Sequence, residues 1–247
     1  MHSRIKTVLK GVNFMSVRKD YDEKLIKISE LISWMGERTT TFIAGAVEAL
    51  GAFDSTSAKN IRCYESEVDI LHRKIEEKCI ILIATKQPVA NDLRFLISSI
   101  KISAEMERIA DYANNIAKIT QRKLSKLDLE PVYHLGVAIR EMGSLVICML
   151  SDTVKAHENK DYVFINIAKE RDVAVNKANN DLFKQMIDTG SKNSNVQATI
   201  LELYTATRYL ERAADRTVNI AKWVFYMETG FQYAKKTNPD FITARIG

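Results

Sequence analysis

Glycine and proline are scarce in this chain, at 9 and 3 residues among 247, against ordinary usage of roughly 7% and 5%. So little punctuation leaves few places for hairpins and tight sheet turns. With 46% apolar and 27% charged residues, the chain is large enough to bury a core and is expected to be built from long helices. Cysteine is scarce too. Cys63, Cys79 and Cys148 are odd in number, far apart and without a CxxC pair. That argues against a disulfide framework and a cysteine zinc site, and fits a reducing cytosol. Long apolar runs are also missing: the longest, around residues 79–84, is far shorter than the roughly 20 residues a membrane span needs. The N-terminus lacks the hydrophobic region of a secretion signal, and neither a nucleotide-binding Gly-rich loop nor a nucleophile elbow occurs.

What is present begins with charge. The formal net charge is +5, and Arg4, Lys6, Lys10, Arg18 and Lys19 supply all of it before the first acid, Asp20. Beyond that point the charges cancel, so the basic pI describes one terminal stretch and not a groove, and a nucleic-acid partner is not expected. Residues 1–19 read as a flexible basic arm, with Met15 as an alternative start.

Helical periodicity and breaks give six helices near 20–52, 57–84, 88–124, 130–156, 161–188 and 195–229, punctuated by cap and turn residues such as Asp54-Ser55-Thr56-Ser57, Gln87-Pro88 and Thr189-Gly190-Ser191. An internal repeat organises them. Residues 107–118 (ERIADYANNIAK) and 211–222 (ERAADRTVNIAK) agree at eight of twelve positions with an offset of 104. Ile102, Met106, Ile109, Ala113 and Ile116 answer in phase to Ala206, Leu210, Ala213, Thr217 and Ile220, the spacing of a helix-packing seam. The expected fold is all-α, two antiparallel three-helix bundles in tandem at 20–127 and 128–230, followed by a polar tail at 231–247.

The same repeat carries the candidate chemistry. Glu107 and Asp111, and Glu211 and Asp215, stand four residues apart, so each pair lies on one helical face. Asn115 and Asn219 extend each stripe, and Glu65 and Asp69 have the same spacing on the preceding helix. Asp69 is about 18 residues before the Gln87-Pro88 turn and Glu107 about 20 after it, which at roughly 1.5 Å per residue sets them level within one turn. Asp172 and Glu211 are likewise nearly equidistant from the break at Ser191. Four convergent carboxylates suit a hard or borderline cation such as magnesium, manganese or iron, whereas a single Glu-Arg-x-x-Asp is ordinarily a solvated face with internal ion pairs. His2, His72, His134 and His157 are scattered, and the lack of any Glu-x-x-His argues against a ferritin-like di-iron site. Trp34 and Trp223 read as core or interface aromatics.

Gln87-Pro88-Val89-Ala90-Asn91-Asp92-Leu93-Arg94, Glu107-Arg108-Ile109-Ala110-Asp111 and Leu210-Glu211-Arg212-Ala213-Ala214-Asp215, with Asn219-Ile220-Ala221, resemble the PhoU accessory proteins of bacterial phosphate uptake over about residues 20–230. The resemblance implies a cytoplasmic, non-enzymatic negative regulator of the phosphate-starvation response. Its implied partners are the ATPase of the phosphate ABC transporter and a phosphate-sensing membrane histidine kinase. It further implies divalent or trivalent metal ions (Mg, Mn, Fe or Zn) held by (Glu/Asp)-x-x-x-Asp motifs, which fall here on Glu65, Asp69, Glu107, Asp111, Asp172, Glu211 and Asp215, with Asn176 standing where a further carboxylate is expected. The long apolar faces of such bundles also suggest a homodimer. Two other functions fit the residues: a carboxylate-bridged metalloenzyme such as a two-metal phosphatase, and a helical scaffold whose acidic stripes only solubilise it.

Overall fold

The computed structural model describes residues 2–233, the side chains of 2–18 excepted, and every regular element among them is helical. The helices are α1 (His2–Gly51), the short α2 (Ser55–Asn60), α3 (Tyr64–Lys86), α4 (Ala90–Arg122), α5 (Leu135–Glu158), α6 (Phe164–Lys192) and α7 (Gln197–Thr229). The expected bounds hold within a few residues at most ends. At the N-terminus, α1 is helical from His2, through the stretch read as an arm, most of whose side chains lie outside the described residues. The expected tail lies outside them from position 234 on. No described helix is long and apolar enough to cross a membrane.

The expected second helix, 57–84, is instead α2 and α3 joined by a 3-10 turn at Ile61–Cys63. Tightening the backbone there lets Ile61 pack against Gly45 of α1, while Arg62 turns toward α4, donating from Nε to Asn114 Oδ1 at 2.9 Å and from Nη1 to Gln121 Oε1 at 3.0 Å. Ahead of it, Asp54 caps α2: its carboxylate accepts from the Thr56 and Ser57 amides at 2.8 and 3.1 Å and from the Ser57 hydroxyl at 2.5 Å. The Ser57 hydroxyl first, and then the amides, hold the Asp54 carboxyl below its ordinary range. A depressed folded pKa contributes stability that is present above the unfolded pKa and lost as pH falls through the folded one. Asp54→Ala is therefore expected to lower the melting temperature slightly at neutral pH and to leave it unchanged in acid. Superimposable melting profiles across pH would show that the cap contributes nothing.

α1, α3 and α4 form one three-helix bundle and α5, α6 and α7 the other, but their cores are not separate. α4 packs along α7 and α1 along α5, so these four helices surround a continuous apolar core, with α3 and α6 on the outside. All ten seam residues picked out by the repeat are fully buried. The α4–α7 pairing is antiparallel and close to two-fold: Tyr112 stacks on Tyr209, with ring centroids 5.7 Å apart, and Arg216 Nη1 reaches Glu105 Oε2 at 3.4 Å. At the repeat offset Tyr209 answers to Glu105 and Arg216 to Tyr112. One duplicated contact has thus become an aromatic stack on one side of the axis and an ion pair on the other.

Candidate functional site

In the first bundle, α3 presents Glu65 and Asp69 and α4 presents Glu107 and Asp111. The apolar stripe of each helix faces the core, with Val68 and Leu71 on α3 and Met106, Ile109 and Ala110 on α4 buried. The acids one position off that stripe are left at the rim of the groove. Glu65, Asp69 and Glu107 are half-buried and Asp111 is exposed. Burial pushes the Glu107 carboxyl above its ordinary range and the charges of Asp111 and Asp69 push it further, with Arg108 opposing. Asp111 is raised by burial and then by Asp69 and Glu65, with Lys118 and Arg108 opposing. The two helices therefore bring all four acids within electrostatic reach, at the depth expected from the Gln87-Pro88 turn. Among the described residues none of the four makes an ion pair or accepts a hydrogen bond on its carboxylate. The internal ion pairs ordinary for a solvated Glu-Arg-x-x-Asp face are thus absent among the described residues, Arg108 pairing with neither Glu107 nor Asp111.

The second bundle repeats the placement with different partners. Burial raises the Asp172 carboxyl on α6, and Asp215 and Glu211 on α7 raise it further, while Lys222 opposes them. Asn176 donates from Nδ2 to Asp172 Oδ2 at 3.3 Å. Glu211 Oε2 accepts from Asn179 Nδ2 at 2.8 Å and is paired with Arg208. Asp172 and Asp215 open on a cavity of about 610 Å³ that also holds Lys169, Arg216, Lys222 and Tyr233. Lys222 Nζ donates to Asn219 Oδ1 at 3.0 Å, and Lys169 lies over the Tyr233 ring, 4.9 Å from its centroid.

Sequence reasoning placed the acids but missed Arg208 and Asn179, which occupy Glu211 Oε2, and Lys169, which lines the same cavity as Asp172 and Asp215. Arg208, three residues before Glu211, was detectable as an i,i+3 pair, whereas Asn179 and Lys169 gave no signal apart from lying on the same α6 face. His72 is half-buried with Nδ1 3.0 Å from Ser103 Oγ, and His134 Nε2 is 3.1 Å from Thr189 Oγ1. Neither joins the acids in a ligand set. His157 is buried at the end of α5, where burial holds its imidazole down at about 4. It lines an end cavity of about 380 Å³ together with Asn91, Asp92, Arg94 and Glu228. Trp34 is 45% exposed and not a core residue, while Trp223 packs edge-on to Tyr226. The three cysteines are free.

Carboxylates that repel one another at a rim and make no direct ion pair among the described residues can take a cation, which would add to the positive charge of Arg108 and Lys118 nearby and clip α3 to α4. Among the described residues no three His, Cys, Asp or Glu side chains stand close enough together to hold an ion as they are. Coulomb repulsion acts beyond ligand distances, and the side chains of the first bundle sit apart at that longer range. Their donor type fits a hard cation. Glu65, Asp69, Glu107 and Asp111 are the side chains that would hold it, and among the described residues none of their carboxylates has a hydrogen bond to give up.

Comparison with known proteins matches both bundles. The family described as the PhoU domain matches residues 32–120 and 139–224. A Zymomonas mobilis protein named as a phosphate-specific transport system accessory protein PhoU homolog is 31% identical over 229 residues, covering 93% of this chain and 95% of its own. A Rhizobium meliloti protein of the same name is 27% identical over 92% and 94% of the two chains. The crystal structure of PhoU from Pseudomonas aeruginosa superposes with a TM-score of 0.79 at 26% identity, over 85% of this chain and all of that one. The phosphate transport system regulatory protein PhoU from Streptococcus pneumoniae gives 0.75 at 26%, over 87% and 99%. With both of its bundles matched in order and the tandem fold shared, the chain belongs to the PhoU family.

Proposed function

We propose that this protein is a regulatory accessory protein of phosphate transport that works by docking and not by turnover. It restrains the phosphate-starvation response by linking the transporter's ATPase to a phosphate-sensing histidine kinase from the cytoplasmic side. The observation that supports this best is the family match over both bundles to proteins named for that accessory role. The site geometry agrees with a binding role: the acidic groove is an open rim between two helices, not a water-excluding pocket with a placed acid and base. A divalent cation there would clip α3 to α4 and change the charge of the face presented to a partner.

Affinity capture of the chain from its own cells, with membranes solubilised, at high and at low external phosphate tests the docking. The ATPase or the kinase is expected in the eluate, in amounts that change with phosphate. Deleting the gene is expected to leave the starvation response on at high phosphate. A normal response in the deletion strain, with neither partner captured at either phosphate level, overturns the proposal. A metalloenzyme would instead hydrolyse a phosphate ester with manganese and lose that activity on Asp111→Ala.

A further inference from the structure

We propose that the outer face of α3 is a seam for a second copy of this chain, laid antiparallel about a two-fold axis at position 75. It goes beyond the docking role above and does not depend on it. Val68, Leu71, Ile75, Cys79 and Leu82 turn inward and are buried, where α3 packs on α1 and α4. That leaves Ser66, Ile70, Arg73, Glu77, Ile80 and Ala84 on the opposite side, all six exposed. Their spacing, alternately four and three, is that of a coiled-coil seam. Ile70 is 59% exposed and Ile80 53%, so the seam carries large apolar side chains that this chain alone leaves in water.

The occupant follows from reading the seam in reverse, because a two-fold contact must be complementary to itself. In an antiparallel pair, residues equally distant from the axis face each other. Ser66 then meets Ala84, Ile70 meets Ile80 and Arg73 meets Glu77, each twice: small on small, apolar on apolar, cation on anion. Arg73 and Glu77 make no ion pair among the described residues, so both charges are available. A parallel pair would set arginine on arginine and glutamate on glutamate, and a shift by one layer would set an isoleucine against a charge. The second bundle is the control. At the offset of 104, α6 carries Glu170, Ala174, Lys177, Asp181, Lys184 and Asp188 on the same exposed stripe. The same pairing there would oppose Glu170 to Asp188 and make no apolar contact, so the shared fold does not require the isoleucines of α3. Lys74 and Glu76 flank the α3 seam, each near its own mate across the axis, and that repulsion keeps the pairing reversible. The two-fold maps each flank of α3 onto the same flank of the other copy, so the two α3–α4 rims open on one side of the pair.

Sedimentation velocity of the full chain over a concentration series reads the pairing. The unaltered chain is expected to pass reversibly from monomer to dimer. Arg73→Glu and Glu77→Arg each set like charges across the seam twice and are expected to weaken the dimer at least about tenfold. Lys177→Glu, at the matching place on α6, is expected to leave it within about twofold. All three residues are exposed, so folding is spared. The decisive arm is a mixture. Arg73→Glu and Glu77→Arg chains, each weakened alone, are expected to pair with one another, because every charged contact between them is again glutamate on arginine. The variant carrying both changes should recover the dimer for the same reason. A chain that stays monomeric at every concentration overturns the proposal, as does a dimer indifferent to the reversals or a mixture that fails to pair. Partner capture tests the docking reading separately, and neither result decides the other.

Discussion

Gly136→Ala is expected to lower the melting temperature by about 6–12 °C, taking overpacking at the upper end of its ordinary cost, ~3 kcal/mol, and about 2–4 °C per kcal/mol for a chain of this size. α1 and α5 run antiparallel and touch through glycines. A methyl on Gly136 would stand 2.2 Å from the Gly51 carbonyl oxygen, and one on Gly143 would stand 2.3 and 2.7 Å from the two Cγ atoms of Val47. The first obstacle is backbone, which no rotamer change removes. The second is a β-branched side chain that a helix holds near one χ1 well, so Gly143→Ala should also destabilise, though less. Gly190→Ala is the control, since its added methyl meets only the Ile200 Cδ1 at 2.9 Å, the far end of a flexible side chain, and alanine is otherwise the better helix former. Thermal unfolding of the three variants reads the contrast. If Gly136→Ala and Gly190→Ala melt together, the close approach of α1 and α5 is not a feature of the native packing.

That approach was the part of the fold least legible in the sequence. The repeat gave the seam directly, because Ile102, Met106, Ile109 and their mates recur with a phase that only a helix–helix contact imposes, and each is buried. The depth of the acids followed from counting residues to a turn that proline had marked. Gly136 and Gly143, by contrast, carry no side chain and hence no period, so a glycine that admits a neighbouring helix looks the same as one that does nothing. The two bundles could be counted for the same reason their joining could not: the contacts of α4 with α7 replace Glu105–Arg216 by Tyr112–Tyr209 across the axis, and such substitutions erase the repeat where the bundles meet. In the second cluster the neutralising partners come from a different helix, or from three residues away. Carboxylate spacing alone could therefore not tell the set that makes no ion pair among the described residues from the one in which Glu211 is paired.

The first cluster's electrostatics lead to an outcome opposite to the usual effect of altering a site. In the absence of metal, Glu107→Gln, Asp111→Asn is expected to be slightly more stable than the unaltered chain at neutral pH. Burial and the neighbouring acids raise both folded carboxyls above their ordinary range. Between the unfolded and folded pKa values the folded chain then binds more protons, so its stability falls as pH rises through that window, and the cost persists above it. Glu107 is half-buried and Asp111 exposed, so solvent screening keeps the gain near that of exposed pairs, about 0.2–1 kcal/mol. The gain should vanish below the ordinary carboxylate range, where both states are protonated. Under the cation role proposed above, manganese at about a hundred times its dissociation constant is expected to reverse the order, because binding to the folded state would add ~2.7 kcal/mol, or about 5–11 °C, to the unaltered chain and much less to the variant. Melting curves with chelator and with manganese, at neutral and at acidic pH, check all four cases. A variant that melts below the unaltered chain in chelator would show that these carboxylates are already compensated and have no need of an ion.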